Sequence, residues 1–324
     1  MKKKIIISAI LVLFISIFLC LLYVRGKSSS VKEITIYAIK GPSGVGMIRL
    51  FEEPPEIKGF NVKIETLAQS NLMAARFIAG EVKVGILPPD IAAKIAASGR
   101  DIRAAAVMGE GMLKLLTADP QVQTLKDLKG KSVEIAGQGA TPDYVFQRIL
   151  KAHGLSPNTD VMLGYSLAYP EIAQSLIAGR VSTALLPEPF ATMAVMGKPD
   201  LKSITDIQEE WAKESGGGNY PITLLVVDGT FASEENEALE AILNAVRASS
   251  EWVRSHPAEA GALVEKHELG LRAAIVAAAI PKSNYVFIPA AEARPSLEAL
   301  FRVFLENEPS SIGGSLPNDR FYLK

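Results

Sequence analysis

Two carboxylates stand where an apolar run breaks off against proline: Asp90 in Leu87-Pro88-Pro89-Asp90 and Glu188 in Leu186-Pro187-Glu188-Pro189. Prolines there stop a strand, and a carboxylate held at that point accepts hydrogen bonds from an amine or amide. A second candidate stretch is Gly137-Gln138-Gly139-Ala140-Thr141-Pro142, with Thr141 as a helix N-cap and Pro142 at the first helical position. Free N–H groups at such a helix start also hold a carboxylate, sulfonate or phosphate, although Asp143 already supplies negative charge in the first turn. In Pro42-Ser43-Gly44-Val45, glycine either makes a tight turn or lets backbone N–H groups approach a ligand. Gln69-Ser70-Asn71, Tyr165 and Tyr169 supply amide, hydroxyl and aromatic groups; Tyr165 either stacks on a planar ligand or covers the edge of a core. Asn219-Tyr220 follows the glycine run Gly216–Gly218 and reads as hinge or ligand contact.

None of this amounts to catalysis. His153, His256 and His267 fall in helical segments without metal-ligand spacing. Neither Gly41-x-x-Gly44-x-Gly46 nor Gly137-x-Gly139 matches a dinucleotide fingerprint, and no phosphate loop or Gly-x-Ser-x-Gly elbow is present. The expectation is a protein that is not an enzyme and has no cofactor and no bound metal.

The elements that position these residues come from an internal repeat. Residues 78–92, IAGEVKVGILPPDIA, recur 99 residues later as IAGRVSTALLPEPFA, with seven of fifteen positions identical. That period is too long for a solenoid and fits two copies of a small lobe. Each copy reads strand–helix–strand–helix–strand: Ile34–Ile39, a helical stretch near Met47–Phe51, Val62–Ile64, Leu72–Ala79 and Val82–Leu87, then Ser132–Ala136, Tyr144–His153, Val161–Leu163, Glu171–Ala178 and Val181–Leu186. Such an order forms a parallel sheet with right-handed crossovers, and ligands bind beyond the carboxyl ends of its strands. Met112–Thr117 and Ile222–Val227 read as strands that cross between lobes, and the chain from Ser233 onward as mainly helical. The expected division is 1–30 as leader, 31–115 with 222–324 as the first lobe, and 116–221 as the second.

Lys2-Lys3-Lys4 followed by the apolar run Ile5–Val24 reads as an export segment. A cleaved signal and a retained N-terminal anchor both fit, and both place the body outside the cytoplasm. Cys20, the only cysteine, is either a residue of that apolar run or a lipid-attachment site in Ile17-Phe18-Leu19-Cys20. Without the first 30 residues the chain carries 29 basic and 35 acidic residues, a net charge of −6, which argues against a nucleic-acid partner. A monomer is expected.

Asp127-Leu-Lys-Gly130-Lys-Ser-Val133, the segment from Ala178-Gly-Arg-Val181 to Leu186-Pro-Glu188-Pro189, and Ile312-Gly-Gly-Ser-Leu-Pro317 resemble the nitrate/sulfonate/taurine/thiamine-precursor class of ABC-transporter substrate-binding proteins. The resemblance runs over nearly all of Val31–Lys324. It implies an α/β type II periplasmic-binding-protein fold, with two similar lobes, parallel-rich sheets and two crossover segments. It also implies a small-molecule ligand in the cleft, with the Glu188 position beside it, and an ABC permease with a cytoplasmic ATPase as partner. Enzymes of this fold that synthesise pyrimidines carry a cysteine-rich motif that this chain lacks. A cofactor-biosynthetic enzyme and an anchored solute sensor are the rival readings. No Arg or Lys falls in the candidate loops, so a neutral or partly cationic heteroaromatic fits as well as a sulfonate.

Overall fold

Parallel pairing organises both copies of the repeat. The computed structural model describes residues 31–324, so the leader and Cys20 lie outside the described residues. In the first copy the chain runs β1 (Lys32–Ile39), α1 (Pro42–Val45), β2 (Phe60–Leu67), α2 (Ser70–Ala79), β3 (Val84–Leu87), α3 (Pro89–Ala97) and β4 (Ile102–Glu110). The second contributes β5 (Leu113–Thr117), β6 (Lys131–Ile135), α4 (Thr141–Ala152), β7 (Val161–Gly164), α5 (Tyr169–Ile177), β8 (Thr183–Pro187), α6 (Phe190–Gly197), β9 (Lys202–Asp206) and α7 (Ile207–Ser215). The chain then returns through β10 (Pro221–Asp228), α8 (Gly229–Glu234), α9 (Asn236–Ser255), α10 (Pro257–Lys266), α11 (Ala273–Ala279), β11 (Tyr285–Pro289) and α12 (Ala290–Asn307).

One sheet has the order β11-β4-β10-β3-β1-β2 and the other β7-β6-β8-β5-β9. Within each, three strands are parallel: β2, β1 and β3 in the first, β7, β6 and β8 in the second. An antiparallel strand arriving from the other half of the chain closes each trio, β10 beside β3 and β5 beside β8. β3 is buried along its whole length, as a strand covered on both faces must be. The expected boundaries at 115/116 and 221/222 are displaced: all of β5 pairs in the second sheet, and Pro221 already pairs with Glu110 in the first.

Three strands lie where none is expected from the sequence: β4, β9 and β11. The first is alanine-rich, which favours a helix locally, but pairing with both β10 and β11 overrides that preference. α3 and α6 are likewise additional. Pro88 and Pro189 end the strands as expected, yet each occupies a helix N-cap position, where a missing N–H is harmless. The C-terminal helices match the apolar periodicity, and two apolar clusters each draw residues from both sheets. Among the described residues, no helix is long and apolar enough to cross a membrane.

Candidate functional site

The carboxyl ends of β3 and β6 each launch a helix, and these two helix starts carry the unusual polar groups. At the start of α4, Ala140 takes the N-cap position and Thr141 becomes the first helical residue, one step from the expected arrangement. Thr141 is only 4% exposed and its Oγ1 has no hydrogen-bond partner among the described residues. Asp143, in the first turn, ties down the preceding loop instead. Its Oδ2 accepts from the Gly139 N–H at 2.8 Å, and its Oδ1 from Gln147 Nε2 at 2.7 Å and the Tyr165 hydroxyl at 2.8 Å. Gly139 adopts a φ of 75° to present that N–H, a conformation that favours glycine. Tyr165 therefore serves the loop through its hydroxyl, and burial, reinforced by Asp143, keeps that hydroxyl protonated by pushing its pKa up.

Asp90 occupies the first turn of α3. The residue keeps some exposure, but its Oδ1 is sealed off and has no partner among the described residues. Burial pushes its carboxyl up to about 6, against the pull of the Asp90 and Ile91 N–H groups and of Lys94. Across from it, burial raises the Tyr144 hydroxyl, and the charges of Asp143, Glu308 and Asp90 act in the same direction. Thr141 precedes Tyr144 by three residues and shares its helix face. The Tyr144 ring meets Phe304 of α12 edge-on at 5.1 Å, and Arg148 pairs with Glu306 at 3.0 Å. These contacts tie α4, which belongs to the second sheet, to a helix that packs on the first.

On the other flank, Glu188 is 2% exposed and accepts the Thr192 N–H at 3.0 Å. Burial pushes its carboxyl above the usual range, opposed by Thr192 and by the charges of Lys282 and Lys114. Lys282 reaches across from the turn after α11 to Thr192 Oγ1 at 3.4 Å. The Tyr169 ring stacks on Phe190 at 5.9 Å, and its hydroxyl reaches the Ala136 carbonyl at 3.4 Å.

The two crossovers meet at Gly111. Its N–H donates to the Tyr220 carbonyl at 2.8 Å, and its own carbonyl accepts from Asn219 Nδ2 at 3.3 Å and from Asn284 Nδ2. Tyr220 is fully buried, edge-on to Trp211, with its hydroxyl donated to Gln208 at 3.0 Å. The expectation of a ligand contact at Tyr220 is therefore corrected: its groups are satisfied inside the second lobe. Asn219 lies at the crossover, its Oδ1 accepting the Tyr220 N–H at 2.9 Å. At Gly44 a Cβ would lie 2.5 Å from the Ile39 carbonyl oxygen, so packing alone already demands glycine there. Ser43 Oγ lies 3.5 Å from Thr223 Oγ1. Gln69 and Ser70 start α2 after the edge strand β2, away from the other groups in sheet order. Pro88 is the N-cap residue that turns the chain into α3.

A cavity of about 480 Å³ opens instead at the far end of α3, between Ala97 and the Ile312–Phe321 segment. Its charged groups are already paired, Arg320 with Asp101 and Arg100 with Asp228. Gly313 explains part of the glycine-rich ending: a Cβ there would lie 2.2 Å from Ala97 Cβ. Among the described residues no cluster of three or more His, Cys, Asp or Glu side chains is placed to hold a metal.

A family model described as the NMT1-like family matches residues 72–266, more than half of the chain. The chain belongs to the NMT1-like family. Its structure is similar to that of an ABC transporter protein from Parabacteroides distasonis, with 25% identity and a TM-score of 0.79 over 90% of this chain and 99% of that one. It is also similar to the periplasmic aliphatic sulphonate binding protein of Escherichia coli, at 16% identity and a TM-score of 0.70 over 90% and 92% of the two chains. The periplasmic nitrate-binding protein of Synechocystis aligns at 12% identity and a TM-score of 0.54 over 76% of this chain and 69% of that one. At such identities the last two show the fold alone. No curated protein matches the chain. The NMT1-like protein thus has the type II periplasmic-binding-protein fold.

Within this NMT1-like protein, Gly139, Ala140, Thr141 and Tyr165 gather around Asp143, with Asp90 within electrostatic reach at Tyr144. Glu188 sits on the opposite flank with Lys282. Sequence reasoning gave no site role to Tyr144, Gln147, Lys282 or Gly111. The i, i+3 spacing from Thr141 to Tyr144 and the i, i+4 spacing from Asp143 to Gln147 are the signals that point to two of them.

Proposed function

We propose that this NMT1-like protein is the solute-binding component of an ABC importer, acting outside the cytoplasm as a monomer. A small organic molecule enters between the lobes and is handed to a membrane permease whose transport a cytoplasmic ATPase drives. The lobes are taken as 31–110 with 221–324, and 113–219. The leader exports the body or tethers it to the membrane, directly or through a lipid on Cys20.

The observation that carries this reading is the pair of sealed, unpartnered oxygens, Asp90 Oδ1 and Thr141 Oγ1, one from each lobe. Both stand at carboxyl ends of parallel strands, where such sheets bind ligands. A buried polar atom without a partner is destabilising by about 1–3 kcal/mol, and a solute that contacts both lobes relieves that penalty only when they are together. Such differential contact is what shifts a population toward closure. The resemblance of the fold to binding proteins of transporters supports capture rather than turnover.

The test pairs calorimetry with small-angle scattering on protein refolded free of carried-over solute. A solute that binds is expected to reduce the radius of gyration. Tight binding with an unchanged radius overturns closure between the lobes as the mechanism.

A further inference from the structure

The polar groups that converge on the Asp90–Thr141 region share one sign. Asp90, Asp143 and Glu308 all act on the Tyr144 hydroxyl as negative charges. Both helix starts, which would otherwise attract an anion, already hold a carboxylate: Asp143, which takes the Gly139 N–H at 2.8 Å, and Asp90 in the first turn of α3. Of the nearby cations on α4, Arg148 is paired with Glu306, and the Lys151 ammonium donates to Asn307 at 3.2 Å. Lys94, the cation that acts on Asp90, lies on the exposed side of α3. The two unpartnered oxygens are a carboxylate oxygen and a hydroxyl oxygen, and the first only accepts when ionised.

We infer that the captured solute presents a cationic nitrogen donor (an ammonium, amidinium or protonated amino-heteroaromatic group) to Asp90 Oδ1 of the first lobe and Thr141 Oγ1 of the second. This rests on capture between the lobes as proposed above and specifies its chemistry. An oxyanion such as a sulfonate or nitrate meets a carboxylate at each helix start, and the one guanidinium on this part of α4, that of Arg148, is turned to Glu306 and leaves only its buried Nε without a partner among the described residues. The nitrogen bridges the lobes because each lobe supplies one acceptor. Tyr144, one turn from Thr141, adds its hydroxyl and the face of its ring, which attracts a cation.

The experiment uses the full chain in detergent, refolded without solute and titrated by scanning and isothermal calorimetry. The cationic probes are 4-aminopyridine, benzamidine and agmatine; the anionic probes are ethanesulfonate and nitrate. At least one cation is expected to raise the melting temperature, and both anions to leave it unchanged. Asp90→Asn is expected to weaken the binding cation roughly ten- to a hundredfold, and Thr141→Val roughly three- to tenfold. Both variants are expected to melt cooperatively without solute, and Thr141→Val decides the matter if Asp90→Asn does not fold. Absence of a shift with every cation, or cation binding that neither variant weakens, overturns the inference. Anion binding that shrinks the radius of gyration overturns it too, yet leaves capture between lobes standing. A cation that binds tightly but leaves the radius of gyration unchanged overturns both readings.

Discussion

Tyr165 donates its hydroxyl hydrogen to Asp143 Oδ1 at 2.8 Å, joining the end of β7 to the first turn of α4. Asp143 is 1% exposed and holds the Gly137–Ala140 loop through Gly139 as well. A hydrogen bond to a charged acceptor contributes about 1.5–3 kcal/mol, and Tyr165 is half-buried, so Tyr165→Phe is expected at the lower end of that range. Asp143→Asn is expected to be worse, because its NH₂ would face one of three donors. Urea midpoints for both variants check the order; an equal or smaller loss for Asp143→Asn contradicts the network.

That network marks the limit of what the chain alone discloses. Asp143 is visible as a first-turn carboxylate, but its partner Tyr165 comes 22 residues later, a separation that no local pattern encodes. The repeat was legible because β3 and β8 are buried throughout and run into the same Leu-Pro step. Asp90 and Glu188 were legible for the same reason, as charges attached to those strand ends. Tyr220 was not: whether a tyrosine after a glycine run faces solvent depends on Trp211 and Gln208, which only tertiary packing brings to it. β11 was hidden by its helical surroundings and its five-residue length.

Asp90 makes stability and binding respond oppositely to pH. Its carboxyl titrates near 6 in the folded chain against an ordinary value of 3.8. A raised carboxyl contributes stability that is complete below about 4 and lost as pH rises through about 6, by at most about 3 kcal/mol. Solute-free protein is therefore expected to melt higher at pH 4.5 than the remaining groups alone would give, and Asp90→Asn to remove that component and melt higher than the parent at pH 7. Affinity for a cation runs the other way, falling as pH drops through about 6. Around Asp90, Lys94 opposes the rise that burial causes, while burial and then the charges of Asp143, Glu308 and Asp90 itself raise the neighbouring Tyr144 hydroxyl. Melting curves at several pH values check this; an Asp90→Asn variant with the parent's pH profile contradicts it.

Gly111 is where the two crossovers press together. A Cβ there would lie 2.2 Å from Tyr220 Cζ and 2.6 Å from Asn219 Oδ1, closer than packed atoms tolerate. Tyr220 cannot retreat, since it is fully buried against Trp211. Overpacking of this kind destabilises by about 1–3 kcal/mol, so Gly111→Ala is expected to lower the urea midpoint by a corresponding amount. Restoration of the midpoint in a Gly111→Ala/Tyr220→Phe double variant would point away from the ring atoms, because Phe keeps the carbon that collides.

Arg148 and Glu306 connect the lobes at 3.0 Å, with side chains 31% and 61% exposed. An exposed pair of this type is worth about 0–1 kcal/mol, and here it acts only when α4 and α12 are together. If the lobes close on a solute as proposed, the pair favours the closed arrangement weakly, and its loss opposes closure by no more than that amount. Glu306→Gln is expected to weaken solute affinity by less than about fivefold and to leave the urea midpoint nearly unchanged. The difference from the parent is expected to fade in molar salt, where screening extends only about 3 Å. Isothermal titration at low and high salt checks both points. A loss above tenfold, or one that salt leaves intact, would mean that Glu306 acts through something other than this pair.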